Sequence, residues 1–426
     1  MLPSVDDRSQ KEVWADFLSQ FPKNCNTCRR GDKEGEDTVI LPDGMDVEAI
    51  LEKLGRLRGE RYLLIVNHLY FRGLYRKKTK KEEGNYLPIH RDTLVEIGGN
   101  RYLQLLEHGL KVGHIIKSPR GYFPGEHSNE YRLNSGLLNF KRQQTYTLTV
   151  KAAVKIWRTR PTKRRRAFVK NSVARAKIAQ SVDGLRFNYS QAFDYVAQIR
   201  AQNQQAHRVA VLAQLITDGQ TWSVDKQGRN YTTIVGIPSE LRKFFSYLGR
   251  TLCVIDIGSS QPLLHSLLYA DDEPEKKEYL SVVRSGFWDF LNKATGEKYD
   301  LSDDDDKQLL KEKVFGQVFY SKTRTPWWGK GVYAVAFAAK FPVLWQAIAD
   351  AKKEKHEVLP RTMQFIEAEG VMAVVEKLAK KPYPLVTIHD AIVTTCENAK
   401  EVGYAIREEF AKLGLKPNLK LVELKP

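Results

Sequence analysis

The sequence has little cysteine, only four in 426 residues, and no acidic residue at all between positions 140 and 182. It has no apolar run near the ~20 residues that a membrane-spanning helix needs, and no internal repeat. So few cysteines exclude a disulfide framework in a cytosolic chain of this length. Cys25 and Cys28 form one CxxC, but a structural zinc takes four ligands and there is no second pair. Cys253 and Cys396 stand alone in apolar, strand-like runs. Residues 1–30 are too polar for a signal peptide. These absences lead us to expect a soluble, cytoplasmic protein with no membrane partner.

What is abundant is positive charge. Lys and Arg number 68 against 51 Asp and Glu, a formal net charge of +17. Such an excess favours a polyanionic partner, usually nucleic acid, and says nothing about fold. Hydrophobic residues at 42% and aromatics at 10% are enough for real cores and exclude a wholly disordered chain. The length suggests two to four domains.

Residues 1–43 are polar and irregular, with one amphipathic stretch at 13–21. A mixed apolar and aromatic segment at 62–74 precedes the charged run 76–81, which reads as a solvated loop. The spacing from residue 87 predicts a short helix at 93–98, a turn at Gly98-Gly99, and a helix over 100–110 with Leu103, Leu106 and Leu110 on one face. A strand at 112–116 and a basic hairpin over 117–133 follow. Helix, turn, helix and hairpin resemble a winged helix-turn-helix, which binds DNA with its second helix and its wing. A small α+β domain for protein contacts is the alternative.

Between 140 and 182 lie thirteen basic residues, among them Arg164, Arg165, Arg166 and Lys170. A solvated helix face normally interleaves Asp and Glu to relieve such repulsion. Nothing does so here, so a phosphate backbone is the expected counter-charge. A long helix without Gly or Pro is predicted over 190–217.

Three segments of the C-terminal half carry residues suited to chemistry. In the first, an apolar strand ends at Asp256, followed by a small-residue turn and a new helix containing Gln261. In the second, β-branched runs flank His389-Asp390, predicting a hairpin with these residues at its tip. Carboxylates from two adjacent strands can hold two magnesium ions, the arrangement used for in-line phosphoryl transfer. In the third, Lys307, Lys311, Phe315 and Phe319 recur every four residues and share a helical face. Two cations and two rings there offer a triphosphate clamp and a base-stacking platform. Asp303–Asp306 suits the N-terminal dipole of that helix. Read singly, each segment also has a plain structural explanation: a turn cap, a buried hydrogen bond, an amphipathic helix.

In this order the three segments resemble motifs A, B and C of the family A DNA polymerases and of the related single-subunit phage-type RNA polymerases. The resemblance covers about residues 227–424. It implies that Asp256 and Asp390 bind two Mg²⁺ ions (or Mn²⁺), that Lys311, with Lys307 one turn earlier, neutralises a nucleoside triphosphate, and that Phe315, Phe319 and Gln261 contact the nucleotide. Gly228-Arg229 and Ile237-Pro238-x3-Arg242 resemble the family's primer-strand elements, so the resemblance gives Arg229, Arg242 and His389 to nucleic acid. The sequence departs from the family in Ala391, where the DNA polymerases have Glu, and in Phe319, where they have the helix tyrosine. Tyr320 is adjacent.

The expected fold is α+β: a polymerase right hand with an antiparallel palm sheet, helical fingers and a thumb-like region, preceded by a winged-helix-like domain. The expected division is a polar segment 1–45, that domain at 46–139, a basic thumb-like region at 140–225, palm at 226–300, fingers at 301–375 and palm again at 376–426. The expected function is a compact DNA polymerase without a proofreading domain, acting on primer–template DNA and nucleoside triphosphates. The alternatives are an RNA polymerase or primase and, from another class, a non-catalytic replication-initiator or regulatory DNA-binding protein.

Overall fold

The computed structural model describes residues 37–75, 86–119, 129–137, 143–199, 222–321 and 331–426, with positions 204, 205, 207–209, 211, 212 and 215. The amphipathic stretch at 13–21, the charged run at 76–81 and the CxxC lie outside these residues.

Strand β1 (Thr38–Pro42) leads into helix α1 (Val47–Leu54), whose first turn is capped by Asp46 accepting from the Ala49 N–H at 3.0 Å. Helix α2 (Arg56–Tyr75) buries Tyr62, Leu63, Ile65, Val66 and Leu69. Next come β2 (Leu87–Pro88), α3 (Arg91–Gly98), α4 (Tyr102–Lys111), β3 (Ile115–Lys117) and β4 (Glu130–Leu133). Gly99, at φ 70°, turns the chain between the two helices where a glycine pair was expected. The three strands form an antiparallel sheet in the order β2-β4-β3. Residues 120–128, in the expected hairpin, lie outside the described residues.

The expected face of α4 is corrected. Leu105, Leu106 and Gly109 are buried, while Leu103 and Leu110 are exposed. Gly109 lets Ile115 come so close that a Cβ there would lie 2.6 Å from its Cδ1, and this turns the neighbouring face of α4 inward.

Strand β5 (Gln143–Thr147) returns to pair antiparallel with β1. Helix α5 (Lys151–Val169) then carries the basic run. Its start is held by the buried Glu60, whose Oε1 accepts from the Thr149 N–H and Oγ1, both at 2.7 Å, and whose Oε2 accepts from the Val150 N–H at 2.9 Å. One apolar core runs from Val39 to Trp157 and a second from Phe168 to Leu424, so α5 contributes to both. Thus β1 packs with the first core rather than standing apart as a polar segment.

Helix α6 (Val173–Asp183), strand β6 (Leu185–Phe187) and helix α7 (Tyr189–Ala197) follow. The helix expected over 190–217 is interrupted: it ends at Ala197, and the described positions 204, 205, 207–209, 211, 212 and 215 are helical again. Gln205, in the second stretch, donates to the Val196 carbonyl at 3.2 Å and so ties the two together across a break that no Gly or Pro announces. The chain continues through β7 (Trp222–Val224), β8 (Asn230–Thr232), β9 (Phe245–Tyr247), β10 (Arg250–Ile257), α8 (Ser260–His265) and α9 (Pro274–Ala294). It then forms α10 (Asp304–Val314), α11 (Val332–Lys340), α12 (Pro342–Ala351) and α13 (Val358–Lys377). The last elements are β11 (Val386–Ile388), β12 (Ala391–Thr395), α14 (Ala399–Ala411) and β13 (Leu419–Leu424).

The fold is mixed α+β with antiparallel sheets, as expected. Its largest sheet has six strands in the order β11-β12-β10-β9-β6, with β13 also paired to β10. Strand β10 is therefore flanked by β12 and β13 over Leu252–Asp256. This brings together cysteines that looked solitary: Cys253 and Cys396 form a disulfide, with Cα atoms 4.9 Å apart across 143 residues. Sequence separation hid the pair, because only strand pairing makes them neighbours. Among the described residues no single helix is long and apolar enough to cross a membrane. Helices α11 and α12 qualify only as a pair bent by 117°, and Tyr333, Phe337, Leu344 and Ile348 anchor them in the core.

Candidate active site

Asp256 lies in the last turn of strand pairing along β10, directly opposite Ala391 on β12 and Lys420 on β13. Residues opposite each other in antiparallel strands share a face, so Lys420 stands beside the Asp256 carboxylate. Asp390 occupies the two-residue connection between β11 and β12, one position before Ala391. The two carboxylates therefore lie at the same end of the sheet. Both adjoining turns hold a non-glycine residue in the left-handed region: Ser259 at φ 54° and His389 at φ 54°. Such conformations cost on the order of 1 kcal/mol each and gather at functional sites.

The electrostatics follow from crowding. Burial raises the Asp390 carboxyl to about 7, and the nearby charges of Glu367 and Asp256 add to the effect. Burial also raises Asp256, while Lys311, Lys420 and Lys307 oppose the rise. Lys311 in turn is lowered by desolvation and by Lys307. One helix, α10, brings both lysines in, because their spacing of four stacks them on one face. The Asp303 side chain caps that helix, accepting from the N–H groups of Asp305 and Asp306 at 3.0 and 2.9 Å, as expected for the acidic run. Lys311 also lies over the Trp288 ring, 5.6 Å from its centre.

The aromatic end of the expected face is different. After Val314 the helix widens, and Tyr320 donates its N–H to the Phe315 carbonyl five residues back at 2.6 Å. The extra residue in this turn shifts the register by one position. Phe319 is fully buried, 4.3 Å from the His265 ring, so its assignment to a nucleotide-facing platform is corrected. Tyr320, one position on, stacks on the half-buried Phe315 at 5.0 Å between centres. Its hydroxyl donates to Gln261 Oε1 at 3.1 Å.

Gln261 is bound at both ends. Its Nε2 donates to Glu367 Oε1 at 2.7 Å, and Ser260 Oγ donates to the same oxygen at 2.7 Å. The other oxygen of Glu367 is ion-paired with Arg229. Burial pulls the Arg229 guanidinium down, but Glu367 more than restores it. Arg229 is presented by the tight connection from β7 to β8, where Asp225 accepts from the Gln227 and Arg229 N–H groups at 2.9 Å and Gly228 sits at φ 84°. His389 lies against Tyr231, with rings 5.6 Å apart. Solvent reaches His389, yet desolvation by its surroundings, with Arg229 and Arg242 close by, lowers its pKa. Arg242 braces the preceding loop, donating to the Ile237 carbonyl at 2.9 Å.

Two residues of this site had no sequence signal that singled them out. Glu367 is one Glu among several on a long helix, and Lys420 lies in an exposed terminal strand beyond any motif. The basic helix is partly neutralised from outside its own segment. Arg165 pairs with Asp183 at 2.5 Å and Arg164 approaches Glu96 at 3.9 Å, while Arg166 and Lys170 are exposed.

Among the described residues no cluster of three or more His, Cys, Asp or Glu is arranged as a metal cage. Two carboxylates are nonetheless a fitting donor set for Mg²⁺, which is bound through one or two carboxylates and completed by water and substrate phosphates. The raised Asp390 fits as well, since neighbouring anions favour either a proton or a cation between them.

The arrangement sets two carboxylates against facing lysines, with a chain of hydrogen bonds beside them. No protein-family model matches the chain, and no curated protein does either. The chain is similar to a solved structure described as the POL domain of Pol1 from M. smegmatis in complex with DNA primer-template and dNTP. Identity is 14%, the TM-score is 0.39, and the match covers 55% of this chain and 54% of that one. The match thus spans about half of that structure's length.

Proposed function

We propose that the chain is a template-directed nucleotidyltransferase, most simply a compact DNA polymerase without a proofreading domain. The observation that carries this reading is the meeting of Asp256, Asp390, Lys311 and Lys420 at one end of an antiparallel sheet. In this reading Asp256 and Asp390 hold Mg²⁺, which supplies positive charge for phosphoryl transfer. Lys307, Lys311 and Lys420 bind the triphosphate and offset charge on the departing pyrophosphate. The primer 3′-oxygen bonds to the α-phosphorus, its bond to the bridging oxygen breaks, and the hydroxyl proton passes to solvent. Arg229, Arg242 and His389 line the primer side, and Gln261 with Tyr320 lines the sugar.

The N-terminal elements run helix, strand, helix, helix, strand, strand, with sheet order β2-β4-β3. That order supports a winged-helix module for DNA, with Arg166 and Lys170 of α5 adding backbone contacts. An RNA polymerase or primase is the second reading, favoured by Ala391 opposite Asp256 in place of a third carboxylate. Labelled-nucleotide incorporation on primed and unprimed templates with Mg²⁺ tests both. No incorporation of either nucleotide class would leave the non-catalytic DNA-binding protein standing.

A further inference from the structure

Trp288, on α9, belongs to none of the three motifs, yet the helix of the cationic residues rests on its ring. Lys311 lies over the ring, 5.6 Å from its centre, and the Phe315 ring, one turn further along, lies 5.7 Å away. Asp256 and Asp390 are within electrostatic reach of Lys311. Among the described residues, however, its ammonium makes no hydrogen bond or ion pair, and the ring is the contact that holds it. An aromatic face attracts a cation within about 6 Å of its centre. Unlike a carboxylate, it brings no counter-charge that an incoming phosphate must displace. A break in α9 accompanies this placement. Gly286 sits at φ 143° inside the helix, a conformation that residues with side chains rarely adopt. Phe287, just beyond the break, is fully buried against Tyr279, Phe319 and Phe337. Its neighbour Trp288 is only half-buried, with its ring at 84° to that of Phe287. A core anchor thus holds down the residue that meets the lysine.

We infer that Trp288 is a positioning residue: its ring holds the Lys311 ammonium in place, unpaired, for the phosphate oxygens of a triphosphate. The inference deepens the nucleotidyltransferase reading and rests on it for the identity of the substrate. A lysine extended into solvent loses side-chain freedom when it grips an anion, and one already lying on a ring loses less. Desolvation lowers the Lys311 pKa, against the pull of Asp256 and Asp390, so the ammonium is partly stripped of water before the anion arrives. Both effects strengthen its grip on phosphate.

The test measures affinity for inorganic tripolyphosphate by calorimetry, beside kcat/KM for nucleotide incorporation. The proteins are the wild type, Trp288→Phe, Trp288→Leu, Lys311→Ala, and Trp288→Leu combined with Lys311→Ala. Loss of the cation–ring contact in Trp288→Leu is expected to weaken tripolyphosphate binding about two- to fivefold. Trp288→Phe, which keeps a ring, should recover most of that loss. In the Lys311→Ala background Trp288→Leu should weaken binding no further, because the charge it serves is gone. A role in packing alone would weaken binding equally in both backgrounds. Tryptophan analogues with successive ring fluorines at position 288 nearly keep the shape and weaken the attraction of the face, so affinity should fall stepwise. They settle the matter if Trp288→Leu fails to fold. Equal losses in both backgrounds, or an affinity indifferent to fluorination, overturn the inference, while the polymerase reading survives on incorporation by the wild type. A wild type whose tripolyphosphate affinity depends on Trp288 but which incorporates nothing overturns the polymerase reading and leaves the held lysine standing.

Discussion

The hydroxyl of Tyr320 meets the side-chain oxygen of Gln261 at 3.1 Å, joining the helix of the cationic residues to the turn that follows Asp256. Counting in fours from Lys311 assigns that role to Phe319, which has no hydroxyl and is fully buried. The wide turn from Phe315 moves the role one residue along the chain. In the proposed reading, where Gln261 lines the sugar, the side chain therefore has an orienting bond, and a deoxynucleotide preference is expected to be firmer than a Phe at that position allows.

Asp256→Asn and Asp390→Asn should each abolish Mg²⁺-dependent incorporation while leaving DNA affinity nearly unchanged. Removing a metal ligand forfeits several kcal/mol of transition-state stabilisation, and each ~1.4 kcal/mol is tenfold in rate. Extension kinetics beside a DNA-binding titration check this. Substantial activity in either variant would place the metal elsewhere.

Lys311→Ala should raise KM for nucleotide and lower kcat, since its charge faces both carboxylates. Lys420→Ala should act in the same direction but more weakly, because it is exposed and better screened by solvent. Steady-state kinetics at two salt concentrations separate the two. If neither parameter moves for Lys311→Ala, the triphosphate does not lie along α10.

Replacing Arg164, Arg165 and Arg166 together should weaken binding to all DNA sequences alike. Each phosphate contact contributes about 0.9 to the salt slope. Arg165 already has Asp183 and Arg164 has Glu96, so the slope should fall by about one, from Arg166. Fluorescence anisotropy across a salt series measures it. A fall near three would mean that both paired arginines leave their acids for phosphate.

The His265 contribution to stability should decline as pH drops from about 6.5 towards 4, opposed over the same range by Asp390, whose raised carboxyl binds its proton before the unfolded chain does. The His265 ring is fully buried between α8 and Phe319, its Nδ1 donates to the Gln261 carbonyl at 2.7 Å, and burial lowers it to about 4. Above pH 6.5 the ring is neutral both folded and unfolded, so it imposes no penalty. Between those values the unfolded chain binds the proton and the folded one does not, so stability is lost as pH falls. The full loss is about 3 kcal/mol. Thermal unfolding of wild type and His265→Asn along a pH series isolates this contribution: as pH falls, the wild type should lose that much stability relative to the variant. Parallel curves would remove His265 as the cause.

Local rules made much of the site readable in advance. An apolar strand ending at Asp256, β-branched runs around His389-Asp390, and a four-residue repeat of Lys307 and Lys311 each follow from short-range geometry, and each element formed where expected. The acid-free segment around α5 likewise announced itself through charge alone. What only the tertiary structure decided depends on distant residues meeting or on a departure from regular period. Glu367 reaches the site because α13 packs beside the turn after Asp256, and Lys420 because β13 pairs with β10. Cys253 finds Cys396 across a strand boundary. Tyr320 replaces Phe319 through a single widened turn, and Leu105 replaces Leu103 because Gly109 admits Ile115. A sequence period specifies which residues share a face; it does not specify which face another part of the chain will come to cover.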